Sequence, residues 1–359
     1  MTSAMMPLLS NETLPNPLPR LHRHHHRRRS NVYHHSRCLP SSPIPPTTST
    51  IPVGGLAYGV DVVCGGTSAF VACLTHVSWI HLQDKRSLGR VHVSGTARSV
   101  AATSNGKSVY VACHNGGLNI LHTAPAFHVA GQFAVPAVGV ALTATVAVVA
   151  CNLMGLCFFD TRTHTWTSTL PLVVGGTSFR AKAVQILHDR YAYVACDSGM
   201  LVVVDFTDPR RPTILTAKRL FHGDAHAIAL SSTAAYVACG SKGVAVIDLH
   251  RFKAVGVARA AYGSVFDVHV APHRLLCACQ VGGLAVYDIH DDQISLTLAG
   301  QTNAFDGISH GVASGVADKR RDVAVVTCQS GGVQVVALDS VDTWSEPKRA
   351  KLADACCIM

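Results

Sequence analysis

The amino-acid sequence predicts an all-β fold, a seven-bladed β-propeller of four-stranded antiparallel blades whose ring is closed by an N-terminal strand. Three observations lead there: a motif that occurs seven times, a spacing between copies near forty residues, and a composition suited to short strands and tight turns.

The motif is hydrophobic-Ala-Cys ahead of a turn. It reads Phe70-Val71-Ala72-Cys73, Tyr110-Val111-Ala112-Cys113, Val148-Val149-Ala150-Cys151, Tyr193-Val194-Ala195-Cys196, Tyr236-Val237-Ala238-Cys239, Leu276-Cys277-Ala278-Cys279 and Val325-Val326-Thr327-Cys328. The steps between cysteines are 40, 38, 45, 43, 40 and 49 residues, the period of one four-stranded blade. Helical repeats of similar length are excluded by chemistry, because the segments after each cysteine are β-branched runs such as Leu201-Val202-Val203-Val204-Asp205. Glutamate, a good helix former, occurs only at Glu12 and Glu346, both outside the repeats.

Within each unit, strand a is the Asp267-Val268-His269-Val270 type, strand b carries the cysteine, strand c follows the turn, and strand d leads to the next unit. An aspartate stands nine residues after the cysteine in four units, at Asp160, Asp205, Asp248 and Asp288. A carboxylate there is expected to accept bonds from the backbone just downstream and so set the c-to-d turn. The seventh unit lacks a strand d. Ser49-Thr50-Ile51-Pro52 resembles the strand d segment Ser168-Thr169-Leu170-Pro171, so the N-terminal segment is expected to complete the last blade and remove the sheet edges.

On these residues the chain resembles the LVIVD-repeat family of β-propellers, a repeat scaffold like the WD40 and YVTN types. The nearest segment is Tyr193 to Pro212, where Met200-Leu201-Val202-Val203-Val204-Asp205 precedes Asp208-Pro209-Arg210-Arg211-Pro212. The resemblance covers most of residues 51–340 and departs in the cysteine, where the family usually has Asp. It also weakens in the first two units, which end in His81-Leu82-Gln83 and Leu121-His122-Thr123. What it implies is a scaffold, with no particular reaction and no cofactor.

The predicted organisation is therefore a disordered His/Arg-rich arm over 1–48, the propeller over 49–340, and a flexible tail over 341–359 ending in a prenylation box. The net charge is +9, and six arginines against Glu12 give residues 1–50 a share of +5. The ring is only mildly basic, so no nucleic acid is expected as a partner. No basic leader followed by an apolar core opens the chain, so the 13 cysteines are expected to sit reduced in the cytosol. The run Phe133 to Phe159 carries no charge and has the length of a membrane span. It is β-branched, contains Pro136 and Asn152, and falls in register with the third repeat, so a buried blade is the better reading.

Seven regularly spaced thiols suggest a metal site, but equivalent positions on seven blades lie around a circle, whereas zinc needs four ligands converging on a point. A small apolar residue packed between blades is the expected role. Strand a lies innermost, and aligning its copies on the valine of Asp61-Val62 gives Asp61, Ser99, Gly139, Ala183, Ala227, Asp267 and Gly311. The preceding positions are Val60, Arg98, Val138, Lys182, His226, Phe266 and His310. Asp61, Arg98, Lys182, His226, Asp267 and His310 are the candidates for ligand binding at the channel mouth, with Asp61, Asp267 and His310 expected in one sector. The alternative is that these groups bond loops or channel water. No nucleophile motif, phosphate loop or HExxH occurs, so no catalytic residue is assigned.

The chain ends Cys356-Cys357-Ile358-Met359, which matches a C-a-a-X box with the farnesyl-preferring terminal methionine. Cys356 would carry the lipid. One prenyl chain gives only reversible membrane binding. The Arg20 to Arg29 segment would support it by about 1 kcal/mol per basic residue near an anionic surface. The resulting expectation is a monomeric, non-enzymatic scaffold with protein partners on the propeller faces, held peripherally at the cytosolic face of a membrane. The alternative is an enzyme or a small-ligand or metal binder using the channel mouth.

Overall fold

In the computed structural model, the described residues are 48–317, 321–339, 341 and 344. They form seven antiparallel blades arranged as a ring, with strand a of each blade innermost. Blade three is representative: Gly139–Leu142, Val146–Ala150, Leu156–Asp160 and Thr165–Leu170 pair in chain order. Strand a begins at Ser99 in blade two, Ala181 in blade four, Ala227 in blade five, Asp267 in blade six and Ser309 in blade seven. The b-to-c turn of blade three needs Gly155, which holds a φ of 86° against the Leu170 carbonyl, where any Cβ would collide.

One backbone bond marks the base of every b–c hairpin. It runs from Leu82 N–H to Thr67 O in blade one, and from Thr123 to Lys107, Thr161 to Thr145, Phe206 to Arg190, Leu249 to Thr233, Ile289 to His273 and Leu338 to Asp322 in the others. In blade one, strands b and c form a single extended run, Ser68–His81, that folds back at Leu74, a residue with φ of 55°. The degenerate first unit is thus a blade like the rest. Ring closure follows the expected route: Thr48–Ile51 pairs with Gly332–Ala337, so the start of the described chain is the outer strand of blade seven. The pairings Ile51 with Val333 and Leu170 with Leu156 occupy equivalent places, which is why the two segments look alike in sequence.

Strand residues alternate between two faces, and in strands b and c both faces are interior. In blade three, Val146, Val148 and Ala150 pack toward blade four, while Ala147, Val149 and Cys151 pack toward blade two. The uncharged run from 133 to 159 is explained by this double burial. It is three strands of a blade, and among the described residues no helix is long and apolar enough to cross a membrane.

Seven hydrophobic cores result, one between each pair of neighbouring blades including seven and one. Each motif cysteine sits in the core shared with the preceding blade: Cys73 with blade seven, Cys113 with blade one, and so on to Cys328 with blade six. All seven are buried, and burial pushes the thiols of Cys73 and Cys239 up to about 11 and those of Cys113, Cys196, Cys279 and Cys328 up to about 12. They are small protonated space-fillers, spread over seven cores.

Of the four turn aspartates, three behave as expected. Asp160 accepts from Arg162 and Thr163 N–H, Asp205 from Thr207, and Asp248 from Arg251. Asp288 instead faces Arg274 at 3.6 Å, and the turn is set by Asp292, which accepts from Ile294 and Ser295. Beyond strand c of blade seven, Val341 and Trp344 are buried in the core between blades six and seven.

Candidate functional site

The seven strands a enclose a channel of about 620 Å³. Its mouth is built by the residue that precedes the a–b ladder in each blade. Backbone bonds identify that residue: Arg98 N–H donates to Ala112 O, Val138 to Ala150, His226 to Ala238 and Phe266 to Ala278. In blade one the equivalent bond is Tyr58 N–H to Ala72 O, so Tyr58 occupies the place that alignment on Asp61-Val62 assigns to Val60. The ladder agrees. Asp61 pairs with Phe70, as Ala101 pairs with Tyr110, whereas Asp267 pairs with Ala278, as Ser99 pairs with Ala112. Asp61 therefore lies two residues deeper in the channel than Asp267. A two-residue slip keeps the same face of the strand, which is why the sequence pattern does not expose it.

The mouth ring, in blade order, is Tyr58, Arg98, Val138, Lys182, His226, Phe266 and His310. Most of its members touch. The Arg98 guanidinium lies 5.4 Å from the centre of the Tyr58 ring, and Tyr58 lies 4.8 Å from His310. His310 meets Phe266 edge-on at 5.4 Å, and Phe266 stacks on His226 at 4.2 Å. Of the sequence candidates, Arg98, Lys182, His226 and His310 share this ring. Asp61 and Asp267 line the channel below it.

The two carboxylates act on their neighbours in one way. Asp61 accepts from Ala102 N–H of blade two at 2.7 Å, and Asp267 accepts from Val312 N–H of blade seven at 2.9 Å. Each thus bonds the next blade one position further along strand a. Removal from bulk water raises both, Asp61 to about 6 and Asp267 to about 7, against the lowering effect of those N–H bonds. His269 adds a second link between blades six and seven, its Nε2 lying 2.9 Å from the Ser314 hydroxyl. At the closing junction, Thr327 stands where the other six blades have alanine; its hydroxyl accepts from Gly311 N–H and donates to Tyr58 O of blade one.

The two mouth histidines, His226 and His310, are both shifted toward the neutral form. Burial and the nearby Arg98 and His226 push His310 down to about 4, and the Gln329 amide donates to its Nε2 at 2.9 Å, leaving the ring proton on Nδ1. Burial also lowers His226, with Asp224 opposing and Lys182 adding to the effect. Among the described residues neither Arg98 nor Lys182 forms an ion pair, and no group of three His, Cys, Asp or Glu is placed to hold a metal.

A second polar cluster lies away from the channel and is not visible in the repeat pattern. The Tyr110 hydroxyl is 2.8 Å from His164 Nδ1, and His164 Nε2 is 2.9 Å from His122 Nε2, linking blades two and three. Its only sequence signal is the unusual His122 at the end of strand c. The lipidation candidate Cys356 lies outside the described residues.

Comparison with known proteins agrees with this architecture. No curated protein matches the chain in sequence. A solved structure of U3-55K is similar with a TM-score of 0.69 at 11% identity, over 81% of this chain and 98% of that one. A crystal structure of the RRP9 WD40 repeats is similar with a TM-score of 0.66 at 12% identity, over 82% and 99%. At such identity the likeness speaks for the fold. The LVIVD repeat model matches residues 181–216 and 222–249, which are blades four and five. The chain is a repeat-built seven-bladed β-propeller, two of whose blades match the LVIVD repeat model.

Proposed function

We propose that the protein is a non-enzymatic scaffold that binds protein partners, farnesylated at Cys356 and held reversibly at the cytosolic face of a membrane. The observation that carries the scaffold reading is a repeated core under unrepeated turns. The residues after the motif cysteines, Leu74, His114, Asn152, Asp197, Gly240, Gln280 and Gln329, come from seven blades to one face and are of six different types. A rigid ring displaying varied turns suits recognition of a shaped partner more than one fixed reaction.

The lipid part rests on the terminal Cys356-Cys357-Ile358-Met359. Trp344 is buried against the ring, and the 12 residues from there to Cys356 span at most about 40 Å when extended. That reach lets a lipid enter a bilayer while the propeller stays in water. Cys356→Ser is expected to move a tagged full-length chain from the membrane to the soluble fraction. An unchanged distribution removes the lipid part, and affinity purification of both forms tests the scaffold part separately.

A further inference from the structure

We infer that the channel mouth is a binding site for a small, multiply charged oxyanion of phosphate type, held between Arg98 and Lys182 and flanked by the imidazoles of His226 and His310. This goes beyond the scaffold reading and stands or falls independently of it.

The chemistry begins with two cations left without counter-charges. Arg98 and Lys182 project from the mouth ring on blades two and four, and neither has a carboxylate partner among the described residues. Val138 alone separates them around the ring. A charge at the end of a narrow, low-dielectric channel is screened less than one on an open surface, so its attraction for an anion is stronger.

The remaining ring members extend the same preference. His226 and His310 are N–H donors when neutral and become cations on proton uptake. Arg98, Lys182 and each other are what their rings face on the cationic side; Asp224 near His226, and Asp61 and Asp267 below the ring, are the carboxyl groups of the channel. Those two deeper carboxyl groups are occupied by the N–H groups of Ala102 and Val312, so they are not aimed at the cations. Tyr58 and Phe266 fill the spaces between the polar groups, stack on or edge against the histidines, and fix their orientation. The channel volume of about 620 Å³ admits an anion larger than a single phosphate.

Titration of the full-length protein with inorganic pyrophosphate at low ionic strength, followed calorimetrically and by imidazole proton resonances, tests the site. Saturable binding is expected, with the His226 and His310 resonances moving and those of His122 and His164 unmoved. The exchanges Arg98→Met and Lys182→Met should each weaken it by at least about tenfold, the loss of one charge-assisted contact, while Lys253→Met on the outer strand of blade five leaves it unchanged. No binding at millimolar pyrophosphate overturns the proposal. So does binding that moves neither histidine or that is weakened equally by Lys253→Met. The resonance shifts in the unaltered protein keep the test decisive if a variant fails to fold.

Discussion

Two sets of seven residues circle this propeller, each supplied by one position per blade. The cysteine set is uniform and buried, one thiol in each inter-blade core. The mouth set is varied, running Tyr58, Arg98, Val138, Lys182, His226, Phe266 and His310. The contrast comes from what each position faces. A cysteine meets the back of the preceding blade, and that slot has the same size and polarity seven times over. A mouth residue meets the common axis and a different ring neighbour in each blade, such as His226 against Phe266, so no single repeated slot fixes its volume and chemistry is free to diverge. Sameness within the repeat marks packing, and difference marks the space all blades share.

Breaking that contrast most severely means putting charge into the uniform set. Cys196→Asp is expected to destabilise the protein by about 4 kcal/mol or more, because no cation reaches the core between blades three and four. The opposite exchange at the mouth, Lys182→Met, is expected to change stability by less than about 0.5 kcal/mol. Urea unfolding of both variants measures the difference, and comparable costs would erase the distinction between the two sets.

A smaller effect is expected where one blade departs from the repeat for the sake of closure. Thr327→Ala restores a small residue like those of the other blades and removes the hydroxyl shared by Gly311 N–H and Tyr58 O. The loss should be about 1–2 kcal/mol by the same unfolding measurement. A neutral outcome would mean that the junction between blades seven and one is held by its apolar core alone.

A pH-dependent effect sharpens the comparison within the channel. Asp61 and Asp267 have folded-state values raised to about 6 and about 7 from 3.8, so the folded protein holds their protons more tightly than the unfolded chain does. Their contribution to stability is complete below about pH 4 and is lost as pH rises through about 6 and 7. His269 and His310, both lowered to about 4 from 6.5, act oppositely: their contribution is present above pH 6.5 and is lost as pH falls toward 4. Asp267→Asn removes one of the ionising carboxyls. Its thermal midpoint relative to the unaltered protein should rise between pH 5 and pH 8, and a pH-independent difference would show that Asp267 does not titrate in that range.

Much of the ring was legible because the cysteine anchors the alignment of strands b and c in every unit. The outer strand of blade seven was equally legible, since Ser49-Thr50-Ile51 repeats the register of Ser168-Thr169-Leu170. Strand a of blade one was not. It has no cysteine, is four residues long, and a slip of two residues leaves its polar alternation intact, so Tyr58 was missed and Asp61 was set level with Asp267. The turn role of Asp292 was hidden for a similar reason, because Asp288 occupies the repeated position while pairing with Arg274.

The sequence alone determined the number of blades, the order of their strands and the segment that closes the ring, because these follow from local periodicity and from a forty-residue repeat whose β-branched runs exclude helical units of similar length. Only the tertiary structure decided which side chains meet. The repeat alignment sets Arg98, Lys182, His226 and His310 level, but nothing in the spacing sets the height of Tyr58 and Asp61 in the channel. That height is set by the backbone pairing of each strand a with its own strand b, a through-space relation that exists only once the blades have formed.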